Sequence, residues 1–188
     1  MSLVSWLGVS ACGSAPIKAV ERVDIPRYVG DWYVLAHIPT SIEKSAWNAV
    51  ESYRLKDGTQ DVIEVTFRFR SGAFDAPLET LHATGYVDAK EPSRWGMNFY
   101  WWQGPIRFEY VIVDLDADYR EVVIGRSARD YVWVMARTPV ISDSHWTRLN
   151  EAVRKAGYDP AKLRRIPQRW DAAPDISPTE RGGPIKKS

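Results

Sequence analysis

The side chains able to do chemistry are few and scattered along the chain. Glu51 and Tyr53 stand two residues apart in Asn48-Ala49-Val50-Glu51-Ser52-Tyr53, which in an extended strand puts a carboxyl and a phenol on one face. Beside His37 or Tyr110, such a pair offers a general acid or base. No nucleophile, base and orienting group occur at motif spacing, so binding is the primary expectation and acid–base catalysis by Glu51 or His37 the alternative. The three histidines, His37, His82 and His145, are too dispersed to read as metal ligands. Cys12 is the single cysteine, which excludes an intrachain disulfide and a thiolate metal site. No metal and no cofactor are expected; haem held by His37 or His82 stays open as a third reading.

The elements that must position these groups belong to a chain of 188 residues, long enough for one domain with a sizeable core. Its 25 basic and 24 acidic residues are mixed along the sequence and leave a net charge of +1, so no field draws it to polyanions and no nucleic-acid partner is expected. Nine Trp and nine Tyr are a heavy aromatic load, equally suited to a core, a pocket wall or an interfacial anchor.

From Tyr28 to Thr138 the sequence alternates with period two in eight short segments, near 29–38, 47–56, 61–70, 78–88, 94–102, 106–115, 120–126 and 130–138. Ile63, Val65, Phe67 and Phe69 against Glu64, Thr66, Arg68 and Arg70 show the pattern best. Lys56-Asp57-Gly58-Thr59, Glu91-Pro92-Ser93, Gln103-Gly104-Pro105 and Asp116-Ala117-Asp118 supply short turns, which favour an up-and-down order. Ser142-Asp143-Ser144 offers helix N-caps, Trp146, Leu149, Val153 and Ala156 recur at helical spacing, and Gly157 supplies a stop. Tyr158 to Arg165 has room for one more short strand. The pattern predicts an all-β domain: an eight-stranded antiparallel up-and-down β-barrel with one C-terminal α-helix packed outside. A sandwich fits it almost as well. The domain is expected over 23–167, after a signal and linker segment at 1–22 and before a disordered tail at 168–188.

The landmarks within these segments decide between the two. Gly30 and Trp32 in Tyr28-Val29-Gly30-Asp31-Trp32-Tyr33 stand at the first strand, and Asn48 to Tyr53 on the second. Asp114-Leu115-Asp116-Ala117-Asp118-Tyr119 follows the sixth, and Arg137 ends the eighth within the stretch Ser127 to Ser142. In this order, over about residues 23 to 167, they resemble the lipocalin family, in particular its bacterial outer-membrane lipoprotein branch, related to apolipoprotein D. The resemblance implies a structural signature of Gly30, Trp32 and Arg137, with the guanidinium stacked on the indole at the closed end. It also implies transport or storage of a small hydrophobic ligand, a fatty acid or lysophospholipid. The enzyme alternative would then act on a lipid or isoprenoid inside the barrel.

With Trp32 and Arg137 inward, period-two counting places Val34, Ala36, Tyr131, Trp133 and Met135 inside, joined by Ile63, Val65 and Phe67. Trp95, Met97, Phe99, Phe108 and Tyr110 complete an aromatic wall, while the small residues Ala83 and Gly85 are expected to leave space. Equally, these residues could pack together and leave no cavity. Glu51 and Tyr53 share the inward parity, and Glu51 is expected to face water near the mouth or to hold a polar headgroup. Trp47, Trp101 and Trp102 near the mouth offer a homodimer contact or a membrane-surface contact.

The apolar run Leu3 to Val9 leads into Val9-Ser10-Ala11-Cys12, which resembles a lipobox. This implies a secretory signal, acylation of Cys12 as a lipid anchor, and a place on the bacterial outer membrane, on its periplasmic side. The bland reading is an N-terminus whose Cys12 is an incidental thiol. No later run approaches the roughly 18 apolar residues of a spanning helix.

Overall fold

In the computed structural model, residues 16–38, 45–99 and 106–170 are described. Cys12, Trp101, Trp102 and the tail from Asp171 onward lie outside them. The described residues form nine strands, β1 (Gly30–Ile38), β2 (Ala46–Leu55), β3 (Val62–Ser71), β4 (Leu78–Val87), β5 (Arg94–Asn98), β6 (Phe108–Leu115), β7 (Glu121–Gly125), β8 (Val132–Ala136) and β9 (Arg164–Arg165). Two helices, α1 (Ile25–Tyr28) and α2 (Asp143–Lys155), complete them.

Each strand from β1 to β8 pairs antiparallel with its sequence neighbours, and β1 pairs with both β2 and β8. That second pairing closes the sheet into a barrel and excludes the sandwich. Closure removes the exposed edges that an open sheet would present. The short turns make the order up-and-down. The β2–β3, β4–β5 and β6–β7 turns therefore lie at one end with α1, and the β3–β4 and β7–β8 connections lie at the other.

α1 was not legible as a periodic element because it is only four residues long. Asp24 caps it, its side chain accepting from the Arg27 N–H, and Pro26 sits where a helix start needs no amide proton. α2 is the predicted helix: Ser142 caps it, and its Leu149 and Val153 are buried against the outside of the barrel with Ala36, Val111, Val123, Val132 and Val134. A second cluster fills the inside, built from Trp32, Val34, Tyr53, Ile63, Val65, Trp95, Met97, Tyr110, Ile124, Met135 and their neighbours.

A register shift between Val34 and Ala36 corrects one expectation. The extra residue of the bulge inverts the parity of β1. Ala36, expected inside, packs outside beneath α2, and His37, paired with Trp133, takes the inner side fully buried.

The C-terminal boundary also moves. β1 and β2 pair only from Gly30 to Tyr33, then part, and the chain after α2 fills the gap. β9 pairs with Ala36 and His37, the Asn48 N–H donates to the Pro167 carbonyl at 2.9 Å, and Gln168 Nε2 donates to the Val34 carbonyl at 2.8 Å. The Arg169 N–H donates to Asn48 Oδ1 at 2.7 Å and Trp170 packs edge-on against Tyr33. Gln168, Arg169 and Trp170, assigned to the tail by composition, are a strap that satisfies backbone groups the parted strands leave open.

Candidate functional site

The interior is built from the closed end upward. Trp32 is 0% exposed, and its indole N–H donates to the Tyr28 carbonyl at 2.9 Å. The Arg137 guanidinium lies 3.8 Å over the Trp32 ring. It also donates to the Asp31, Tyr28 and Val29 carbonyls at 2.7, 2.8 and 3.0 Å, so one side chain stacks on the floor and ties down the carbonyls where α1 ends. Burial lowers its pKa from the usual arginine value. Gly30 has φ +105°, and a Cβ there would come within 3.2 Å of Arg137 Nη1, so its lack of a side chain serves both the turn and the stack.

Above this floor three phenols converge from three elements. Tyr28 from α1 and Tyr110 from β6 are 2.7 Å apart at their hydroxyls, and Tyr110 and Tyr53 from β2 are 2.8 Å apart. The Tyr53 hydroxyl in turn donates to Glu51 Oε2. Trp95 stacks on Tyr110 with ring centres 4.9 Å apart and meets Tyr28 and Tyr53 edge-on. Burial raises the pKa of all three phenols above 10, and the neighbouring Glu51 charge adds to this.

The sign of that shift makes a prediction. A raised folded-state value favours the neutral phenol, so the stabilisation is complete below about pH 10, the unfolded value, and declines as pH rises above it. In an alkaline titration, the ultraviolet phenolate signal of these three tyrosines is expected to appear only together with loss of the β-sheet circular dichroism. All nine tyrosines ionising in one step near pH 10 with the fold intact would overturn the assignment.

Toward the other end several inward side chains keep contact with solvent, while His37, Phe69 and Trp133 stay buried. Glu51, Leu81, Ala83, Phe99, Phe108 and Tyr131 are partly exposed, whereas Trp32, Ile63, Ile112, Ile124 and Met135 are sealed. On registers Glu51↔Phe67↔Leu81 and Val65↔Ala83, Glu51, Leu81 and Ala83 share the inward face of the wall with Phe67 and Val65. At the rim, just past β7, the Arg126 guanidinium lies 4.6 Å from the Tyr131 ring centre and 5.5 Å from that of Phe108, paired with Asp130 at 3.0 Å. The Arg126–Asp130 ion pair thus stands beside the inner wall at this end.

Most of the expected lining is brought together. Val34, Tyr53, Ile63, Val65, Phe67, Trp95, Met97, Tyr110, Trp133 and Met135 are buried members of the inner cluster, and Ala83, Phe99, Phe108 and Tyr131 pack against it. Gly85 does not make space as expected: a Cβ there would lie 3.1 Å from both Met97 and Trp95, which already occupy the room. Ala83 is partly exposed and packs against the inner cluster. Glu51 is hydrogen-bonded rather than isolated. Tyr28 was missed because α1 has no periodicity to place it, and Phe69, stacked on Phe67 at 4.9 Å, was read only as part of an alternation. His82 is exposed on the outer face beside Thr66, which removes it as a ligand to anything inside. His145 lies outside too, hydrogen-bonded to Glu121. Trp47 is half-buried, edge-on to Phe74 at 4.6 Å.

The family model described as a lipocalin-like domain matches residues 23–168. The outer membrane lipoprotein Blc of Escherichia coli is 28% identical over 160 residues, covering 82% of this chain and 87% of that protein. Apolipoprotein D of Bos taurus is 23% identical, covering 81% and 79%. Among solved structures, insecticyanin from the tobacco hornworm Manduca sexta superposes with a TM-score of 0.63 at 13% identity, covering 80% of this chain and 83% of that one.

Proposed function

As the chain belongs to the lipocalin family, whose members bind small hydrophobic ligands, we propose that it carries a fatty acid or lysophospholipid, its acyl chain inside the barrel and its anionic head at the rim. The observation that carries this reading is a partly exposed stretch of inner wall: Leu81, Ala83, Phe99, Phe108 and Tyr131 are still reached by solvent, whereas the floor around Trp32 is sealed. A well-packed core would seal both. Each methylene moved from water to an apolar wall contributes about 0.8 kcal/mol, so a chain of about sixteen carbons offers roughly 12 kcal/mol before ordering costs. Arg126, stacked near the Tyr131 and Phe108 rings and paired with Asp130, supports the orientation, since a carboxylate or phosphate head at the rim gains a charge-assisted contact with it.

Carriage rather than turnover is proposed because the groups nearest the cup's base suit hydrogen bonding more than proton transfer. The phenols are held neutral well above physiological pH, far from the range a general acid or base needs. The lipobox-like Val9-Ser10-Ala11-Cys12 and the relation to outer membrane lipoproteins support an acylated Cys12 and a place on the bacterial outer membrane. Native mass spectrometry with lipid extraction, on protein expressed with its own N-terminus, tests both parts. A co-purifying fatty acid or lysophospholipid and an acyl mass on Cys12 are expected. A barrel that stays empty across a panel of both lipid classes overturns carriage, and an unmodified Cys12 overturns the anchor alone.

A further inference from the structure

Given a lipid-carrying interior and an acylated Cys12, as proposed above, we infer that the barrel sits with its mouth against the bilayer and exchanges its ligand directly with the lipid layer. The path of the segment before α1 carries this. At the closed end the Asp24 N–H donates to the Tyr119 hydroxyl in the β6–β7 turn, at 2.8 Å. The Val20 N–H donates to the Ile112 carbonyl within β6 at 2.9 Å. The Ile17 N–H donates to Ser127 Oγ, in the β7–β8 turn, at 3.1 Å. Traced back from α1, the chain therefore climbs the outside of the barrel from floor to mouth.

Its mouth end is firmly seated. Ile17 is 1% exposed, and a Cβ on Gly125 would come within 3.0 Å of its Cδ1, so the glycine makes the seat. The Ile17 carbonyl accepts from Arg94 Nη2 at 2.5 Å, and Glu109 accepts from both Arg94 and Ser127, joining segment and turn in one network. Cys12 stands five residues before Ile17, a span of at most about 18 Å. A lipid on Cys12 is thereby tied to the mouth end.

The surface at that end suits a bilayer. Leu78, which opens β4, and Ile106, just before β6, are both exposed there, at 37% and 59%. The three closed-end turns present Asp57, Lys90, Glu91 and Asp118 to solvent and no exposed large hydrophobic side chain. Arg126 and Arg129 of the β7–β8 turn, with Arg154 and Lys155 where α2 ends against it, outnumber their neighbours Asp130 and Glu151. An anionic lipid surface is therefore attracted to this end, in a salt-dependent way. An acyl chain passing from the bilayer into a mouth held against it does not cross water, which removes the main barrier to exchange.

A chemical tether tests the orientation without depending on whether a cell acylates Cys12. The Cys12 thiol of the full chain is coupled to a maleimide-bearing phospholipid in vesicles of phosphatidylcholine and phosphatidylglycerol. For comparison, Cys12→Ser with Asp57→Cys is coupled through the β2–β3 turn at the closed end. Uptake of a fluorescent hexadecanoic acid from the vesicles is followed by energy transfer from the barrel tryptophans, and the rate constant rather than the amplitude is read. Uptake is expected to be about tenfold faster through Cys12 than through position 57. Leu78→Gln with Ile106→Gln should slow the Cys12-tethered rate about threefold and leave affinity in solution unchanged. Equal rates from the two tethers, a faster rate from the closed end, or an unslowed double variant overturns mouth-first docking and leaves carriage standing. If neither tethered protein takes up the acid and none binds it in solution, carriage itself fails.

Discussion

Replacing Trp32 with alanine is expected to destabilise the barrel by about 3–5 kcal/mol, the range for truncating a large buried aromatic in a core that only partly collapses. Three losses coincide at this position. The indole fills the sealed end of the interior, its N–H satisfies the Tyr28 carbonyl, and its face carries Arg137 at 3.8 Å. Without the ring the guanidinium keeps its carbonyl partners, but the stack, worth about 0.5–2 kcal/mol, is gone. Trp32→Phe keeps most of the volume and should cost clearly less. Chemical denaturation of the two variants measures this, and an unchanged midpoint for Trp32→Ala would refute the role assigned to the floor.

Ala83→Trp is expected to weaken binding of hexadecanoic acid by about a hundredfold while shifting the unfolding midpoint little. Ala83 points inward opposite Val65 and is partly exposed, so an indole there extends into the part of the interior that solvent still reaches. Displacing about four methylenes of ligand from the wall corresponds to roughly 3 kcal/mol, or about two decades in affinity. Two residues along the same face, Gly85→Trp makes the contrast, because Met97 and Trp95 stand 3.1 Å from its Cβ position and overpacking should lower stability first. Affinity unchanged in Ala83→Trp would place the ligand somewhere other than the barrel interior.

The alternation of β3 was legible because one face is core and the other solvent, and its inward residues Ile63, Val65 and Phe67 are where parity placed them. Parity failed at Ala36, where a bulge inserts one residue and no local signal announces it, since the bulge answers to the pairing of β1 with β8. It failed differently at Gly85. A small residue reads as space, but whether space exists depends on which side chains across the wall reach into it, here Trp95 and Met97. The strap Gln168–Trp170 was hidden because its stability comes from groups on β1 and β2 more than a hundred positions earlier, as for Gln168 Nε2 donating to the Val34 and Ala49 carbonyls.

By itself the sequence determined the strand order and the outer helix, because each depends on local period and turn chemistry, while the Gly30, Trp32 and Arg137 signature followed from the resemblance of their motifs to the family. It also placed Glu51 and Tyr53 on one inward face. Only the tertiary structure supplied the β1–β8 pairing that closes the sheet, the bulge that turns Ala36 out and His37 in, and the meeting of Tyr28, Tyr110 and Tyr53. Hydroxyls from a four-residue helix and two strands across a barrel are brought within hydrogen-bond reach by closure alone, and closure is a property of the whole sheet.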